Sequence, residues 1–157
     1  MQPFFDDFLE RLTALHRSCL NSMDGLSVQA LDWVPVQKPT AEMNSISILI
    51  THLVGAERYW IGDVALGDNS ERVREQEFQV HGLSAAELMN KINAASDFAR
   101  TALWNLAFDD LDRKMLSPRD GKKYTIAWAL LHALEHTALH VGHLQLVCQL
   151  WDEQAEN

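Results

Sequence analysis

A run of histidines in the last third of the chain constrains the fold most strongly. The segment LLHALEHTALHVGHL, residues 130–144, carries histidines at 132, 136, 140 and 143. Spacings of four, four and three match the α-helical turn, and at about 100° per residue all four rings fall within an arc of roughly 80°. The opposite side of the same helix carries Glu135, Gln145, Gln149 and Glu153. We therefore predict a long helix whose histidine stripe faces the interior of the protein.

Four segments in all have the periodicity of long helices. We predict helices over 3–23, from a cap at Asn44 or Ser45 to about 66, over 84–106 and over 125–151. Ser84 and Glu87 form the pattern of a capping box at the start of the third. Because there is no strand pattern, the sequence predicts an all-α fold. We expect a single four-helix-bundle domain over residues 1–157, with long connections between helices one and two and between helices three and four.

The predicted helices are joined by polar or proline-containing segments. The first connection contains Pro35 and Pro39, with one short turn expected around 28–31. The second, residues 67–82, includes the charge run ERVREQE, which we interpret as a solvated loop. The third contains Pro118 and the turn signal Asp120-Gly121. The first connection is long for a compact domain, and loops of that length are often functional.

Composition limits the classes of partner. The net charge of −9 argues against a broad phosphate-binding face, so we expect no nucleic acid partner. No apolar run is long enough to span a bilayer, and the acidic start MQPFFDDFLERL lacks the features of a signal peptide, so we expect a cytoplasmic protein without membrane association. Cys19 and Cys148 lie in apolar helical surroundings, and we predict reduced core thiols.

The histidine spacing also indicates a metal site. Two imidazoles at i and i+4 on a helix can hold one transition-metal ion, and His132–His136 and His136–His140 both have this spacing. A third ligand must come from elsewhere, and His52, in the middle of the second helix, is the natural candidate. His16 and His81 are less suited. The alternative is a set of hydrogen-bonded core histidines, but several buried imidazoles without a shared partner would leave costly unsatisfied nitrogens.

With these residues the sequence resembles the DinB/YfiT-like superfamily of metal-binding four-helix bundles, which includes bacillithiol and mycothiol S-transferases. The family has a histidine in helix two, followed by an acidic residue and a tryptophan, and His52, Glu57 and Trp60 match it. Its last helix carries H-x-x-x-H, then usually arginine, glycine and glutamine. His136, His140 and Gly142 match, whereas Val141 and His143 depart from the basic and amide positions.

The resemblance implies a divalent metal, nickel or zinc, held by His52, His136 and His140. It places His132 and His143 beside the site, where an imidazole could orient a ligand or relay a proton. The function it favours is a thiol S-transferase that joins a low-molecular-weight thiol to an electrophilic small molecule. A hydrolase using activated water, with His132, His143 or Glu57 as the base, is one alternative. A non-catalytic stress-response dimer is another, and we expect a homodimer.

Four tryptophans leave a further choice open. They are Trp33, Trp104, Trp128 and Trp151. Aromatic residues at helical spacing belong to the core more often than to a pocket or a dimer face.

Overall fold

The computed structural model describes residues 2–155, without the side chain of Ala155. Helix α1 covers Pro3–Met23, α2 Val28–Asp32 and α3 Ile46–Glu57, which continues as a π-helix over Arg58–Leu66. The short α4 covers Arg74–Glu77 and α5 covers Ala85–Trp104. A 3₁₀ turn over Phe108–Asp112 precedes strands β1, Lys114–Leu116, and β2, Lys123–Thr125, and the chain ends in α6, Ile126–Ala155.

The long helices form a four-helix bundle, so the predicted all-α fold is confirmed. Helix α6 packs against α1, α3 and the π-helix, and α5 packs against α1 and α3. The core has two clusters. One surrounds Phe5, Trp60 and Leu103, and the other surrounds Leu31, Ile50 and Leu144. No helix within residues 2–155 has the length and apolar character needed to cross a membrane.

Capping residues explain where the site-bearing helices begin. The Ser45 hydroxyl accepts a hydrogen bond from the amide of Ile48 and starts α3. Ser84 and Glu87 form the predicted capping box of α5. The Thr125 hydroxyl accepts a hydrogen bond from the amide of Trp128 at the start of α6. These local signals are readable from the sequence because each joins residues three apart.

The second long helix departs from the prediction over its last nine residues. We predicted an α-helix to about Leu66, but Arg58–Leu66 has π-helical hydrogen bonding. Gly67 ends the segment at φ 77°, and the amide of Asp68 bonds to the carbonyl of Gly62. π-Helical segments are rare and occur frequently at functional sites. This one carries Trp60, which lies beside the histidine stripe.

A small hairpin in the third connection was not predicted. Strands β1 and β2 pair antiparallel, with Met115 opposite Tyr124. Each strand has three residues, too few to show an alternating pattern in the sequence. The turn between them contains the predicted Asp120-Gly121, with Gly121 at φ 68°. The hairpin places Tyr124 against Trp60, with ring centroids 5.4 Å apart.

Candidate metal centre

Helices α3 and α6 bring three histidines together. His52 lies in the middle of α3, and its ring centroid is 5.1 Å from that of His136 and 5.0 Å from that of His140. His136 and His140 are one turn apart on α6, with centroids separated by 4.4 Å. One nitrogen from each ring lies within 4.8 Å of the others. Since metal–nitrogen bonds are about 2.0–2.1 Å, modest side-chain rotations are enough for all three to reach one ion.

Two of these rings present nitrogens that the protein leaves unsatisfied. The Nδ1 atoms of His136 and His140 are buried and have no hydrogen-bond partner within residues 2–155. A buried polar atom without a partner costs about 1–3 kcal/mol. Burial, and then the neighbouring histidines, lower the pKa of His136 to about 3 and that of His140 to about 4. Both rings are therefore neutral at pH 7, the form that binds a metal, and the donor set fits a divalent transition metal.

The third histidine is oriented by a buried carboxylate. The Nδ1–H of His52 donates to Glu77 at 2.8 Å, so Nε2 is left for a ligand. Arg72 holds the same carboxylate through Nε at 2.5 Å and Nη2 at 2.8 Å. Gly55 makes room for this arrangement, because a Cβ at that position would overlap Glu77 Oε1. A carboxylate behind a ligating histidine fixes its tautomer and raises its basicity.

Glu77 and Arg72 correct the interpretation of ERVREQE as a solvated loop. Glu71, Val73, Glu75 and Gln76 are exposed, but Glu77 is only 7% exposed and Arg72 is half-buried. His52, which bonds to Glu77, is 25 residues away in the sequence, so no local spacing reveals this contact. The one available signal was the apolar Phe78 after the charge run, whose ring lies 5.0 Å from that of His52.

A small cavity opens beside the histidines. Its volume is about 150 Å³, and it is lined by His52, Ala56, Trp60, Arg72, Arg74, Arg119, His132 and His136. His132, half-exposed, stacks on Trp128 at 4.8 Å with an interplanar angle of 13° and meets the Trp60 ring at 4.6 Å. The structure therefore places His132 on the cavity wall, two turns from His140. His132 is not part of the three-histidine group.

His143 lies at the other end of the stripe. Its ring centroid is 5.5 Å from that of His140, and its Nδ1 is buried without a hydrogen-bond partner among the described residues. His143 does not line the cavity. The structure thus puts the two flanking histidines in different surroundings.

Glu57 and His16 form a buried pair outside the three-histidine group. His16 Nε2 lies 2.9 Å from both carboxylate oxygens of Glu57, and Thr137 Oγ1 donates to the same carboxylate at 2.7 Å. His16 Nδ1 lies 2.5 Å from Ser96 Oγ. Glu57 lines a separate cavity of about 440 Å³ and is not brought to the three histidines. His81 is exposed on a loop.

Comparison with known proteins decides the family. A family model described as mycothiol-S-transferase matches residues 7–153. The chain belongs to this DinB-like family. A comparison with curated proteins found no match. Among solved structures, a conserved protein from Enterococcus faecalis is similar at 15% identity, with a TM-score of 0.75, over 96% of this chain and 98% of that one. At that identity the likeness supports the fold alone.

The mycothiol-S-transferase family also directs attention to the thiols of this chain. Cys19 and Cys148 are both free, and Cys19 is buried. Burial is the main reason that the pKa of Cys19 rises to about 12 and that of Cys148 to about 11. Both side chains therefore stay protonated at neutral pH and are poor nucleophiles. Neither cysteine therefore supplies a thiolate at neutral pH.

Proposed function

We propose that this protein is a divalent-metal-dependent thiol S-transferase that joins a low-molecular-weight thiol to an electrophilic small molecule. The observation that carries the proposal is the group formed by His52, His136 and His140 at the edge of a cavity. Three neutral imidazoles suit nickel or zinc. Membership of the mycothiol-S-transferase family supports the thiol as one substrate.

The protein's own residues prepare the site in this proposal. A divalent ion there would lower the pKa of a thiol bound to it, which favours the thiolate at neutral pH. Glu77 holds the His52 ring in one orientation, and Trp60 and His132 form part of the cavity wall. The thiol loses its proton and a carbon–sulfur bond forms. In an addition to an unsaturated carbonyl compound the proton ends on the carbon next to the carbonyl, and in an epoxide opening it ends on the oxygen. In a substitution the halide departs and the proton is released with it as the acid.

The flanking residues receive different roles. We propose His132 as the proton relay, because it lines the cavity and remains half-exposed. His143 supports His140 from the far end of the stripe. Glu57, our third predicted catalytic residue, stays a prediction, and its hydrogen bonds to His16 and Thr137 favour an indirect role.

Reconstitution tests the proposal. The protein is loaded with zinc or with nickel and mixed with cysteine and a panel of alkyl halides, epoxides and unsaturated carbonyl compounds. We expect thioether formation above the uncatalysed rate, its loss in His136→Ala, and its retention in His81→Ala. Products formed with water and without thiol would indicate the hydrolase instead. A metal-loaded protein that accelerates neither reaction would leave the ion a bracing role.

We also propose a homodimer. Helix α6 exposes Leu131, Leu139 and Leu146, and Trp104 is 68% exposed on α5. Exposed apolar side chains along one helix are typical of a protein–protein contact. Light scattering during size-exclusion chromatography should give twice the chain mass, and Leu139→Lys should halve it. A monomeric mass for the unaltered protein would contradict the dimer.

A further inference from the structure

The cavity beside the three histidines is positively charged in an otherwise acidic protein. The chain has a net charge of −9, yet of the residues that the structure describes three arginines and no aspartate or glutamate line this cavity. They come from two separate segments, Arg72 and Arg74 from the region of α4 and Arg119 from the hairpin. The concentration of positive charge at one small cavity therefore calls for a ligand of opposite sign.

One of the three charges is already compensated. Arg72 donates from Nε and Nη2 to the Glu77 carboxylate, which in turn accepts from His52. This pair belongs to the support of the histidine group. Arg72 is therefore a poor candidate for binding a ligand.

The other two charges, Arg74 and Arg119, form no ion pair with any acidic residue that the structure describes. Within residues 2–155, the arginines that form ion pairs are Arg58, Arg72 and Arg113. Arg74 lies instead over the Phe78 ring, 4.8 Å from its centroid, and Arg119 lies over the Tyr59 and Trp60 rings at 5.6 and 6.0 Å. Aromatic faces hold a guanidinium without neutralising it. Both remain able to donate two parallel hydrogen bonds to an oxyanion.

The backbone around both arginines is fixed. The amide of Arg119 donates to the Tyr59 hydroxyl at 3.2 Å, and that hydroxyl is 2.7 Å from Ser117 Oγ. Arg74 begins α4, whose last residue is the buried Glu77. A binding group on a fixed backbone loses less entropy when its ligand arrives.

We propose that Arg74 and Arg119 bind an oxyanion group, a carboxylate or a phosphate, on the electrophilic substrate. This inference rests on the function proposed above, since it names the substrate class of the same site. A cavity of about 150 Å³ admits only a small ligand beside the histidines. The substrate is therefore a small anionic electrophile, oriented by its charged end.

A binding measurement that needs no turnover tests the proposal. Isothermal titration of the metal-free protein at pH 8 compares benzoate, phenyl phosphate and the neutral benzamide. We expect one of the anions to bind at least tenfold more tightly than benzamide, and that anion identifies the oxyanion. Arg119→Gln and Arg74→Gln should each reduce the preference at least threefold, and Arg119→Lys should restore part of it. Equal binding of all three probes would overturn the proposal.

Arg100→Gln is the matched control, because Arg100 is an exposed arginine on α5 that lies outside this cavity. It should leave the preference unchanged. A preference lost in Arg100→Gln and kept in Arg119→Gln would move the anion to another site and contradict the assignment. If the anion preference holds while no thiol transfer is found, the proposed reaction fails and the anion site stands. If transfer is found and Arg119→Gln changes neither KM nor binding, the reaction stands and this inference fails.

Discussion

Helix α3 contributes to two buried histidine–glutamate pairs, His16–Glu57 and His52–Glu77, and the two pairs differ in how their ring nitrogens are used. In one pair His16 uses both ring nitrogens, Nδ1 towards Ser96 and Nε2 towards Glu57, and Thr137 also donates to the carboxylate. In the other, His52 uses only Nδ1, which donates to Glu77. The same two residue types therefore build a closed network around His16 and an open one around His52, whose Nε2 has no hydrogen-bond partner among the described residues.

Two further imidazoles, those of His136 and His140, lie next to the open pair. His136 and His140 bring two more buried nitrogens without partners among the described residues, whereas both ring nitrogens of His16 have partners, the Ser96 hydroxyl and the Glu57 carboxylate. A metal can replace the missing partners only where they are missing. Burial does not distinguish the ligand candidates, since His16 is 2% exposed and His52 is 3% exposed. What distinguishes them is whether the second ring nitrogen already has a hydrogen-bond partner.

Removal of a histidine from the three-histidine group should have the largest effect on zinc affinity. We expect His52→Ala, His136→Ala and His140→Ala each to lower zinc affinity at least 100-fold, because three ligands become two. His16→Ala and His81→Ala should keep the affinity of the unaltered protein when folded. Metal analysis after dialysis against limiting zinc measures both sets. Full occupancy in His136→Ala would remove the assignment.

Acid should strongly lower the stability of the metal-free protein through two histidines of the same group. Burial and the neighbouring histidines hold the pKa of His136 at about 3 and that of His140 at about 4, whereas an unfolded histidine titrates near 6.5. Between about pH 6.5 and 4 the unfolded chain therefore binds more protons, and the metal-free protein should lose stability as pH falls through this interval. Urea unfolding at pH 7.5, 6, 5 and 4 measures it.

The same shifts sharpen the expectation for metal release. Protons compete poorly for rings whose pKa is depressed, so half-release should occur below pH 6.5. Dialysis of zinc-loaded protein in half-unit pH steps locates the midpoint. Release at or above pH 6.5 would show that the rings titrate as exposed imidazoles and are not the ligands.

The closed network should prove structural. Glu57→Ala leaves buried His16 and Thr137 without their shared acceptor, and each unsatisfied buried donor costs about 1–3 kcal/mol. Glu57→Gln retains the shape and should cost less. Zinc affinity of the folded Glu57→Gln protein should be unchanged. If this variant keeps its metal and its stability but loses turnover, Glu57 acts in the reaction, as the sequence motif predicted.

Replacement of Glu77 should have a smaller effect on zinc affinity at the three-histidine group. Glu77→Gln keeps the size of the side chain but removes the charge behind His52, and loss of such a partner lowers metal affinity about 10–100-fold. Gly55→Ala should act in the same direction, since its methyl group displaces the carboxylate. The matched control is Glu75→Gln, an exposed carboxylate two residues away. Equal zinc affinity in Glu77→Gln and Glu75→Gln would contradict the supporting role.

Sequence reasoning reached what local spacing encodes. The helix over Pro3–Met23 and the Ser84–Glu87 capping box were predicted with their bounds. The proximity of His52 to His136 and His140 was predicted from one helical stripe and the family pattern, and is confirmed. Glu77 was missed because its contact with His52 depends on how a connector folds back onto α3. The closed pair was also missed, because His16 and Glu57 are 41 residues apart and meet only when α1 packs in the bundle.

The smallest effect on metal should come from the two histidines that flank the group. His132 lies eight residues before His140, on the order of 12 Å along the helix axis, too far for both to bind one ion. His143 is only three residues beyond His140, but its ring is outside the three-histidine group. We expect His132→Ala and His143→Ala to keep zinc within about twofold. Turnover should fall more in His132→Ala, because this ring lines the cavity. Loss of metal in either variant would mean that the wrong pair on α6 has been chosen. A His132→Ala protein with full metal content and full activity would reduce that ring to a stacking partner of Trp128.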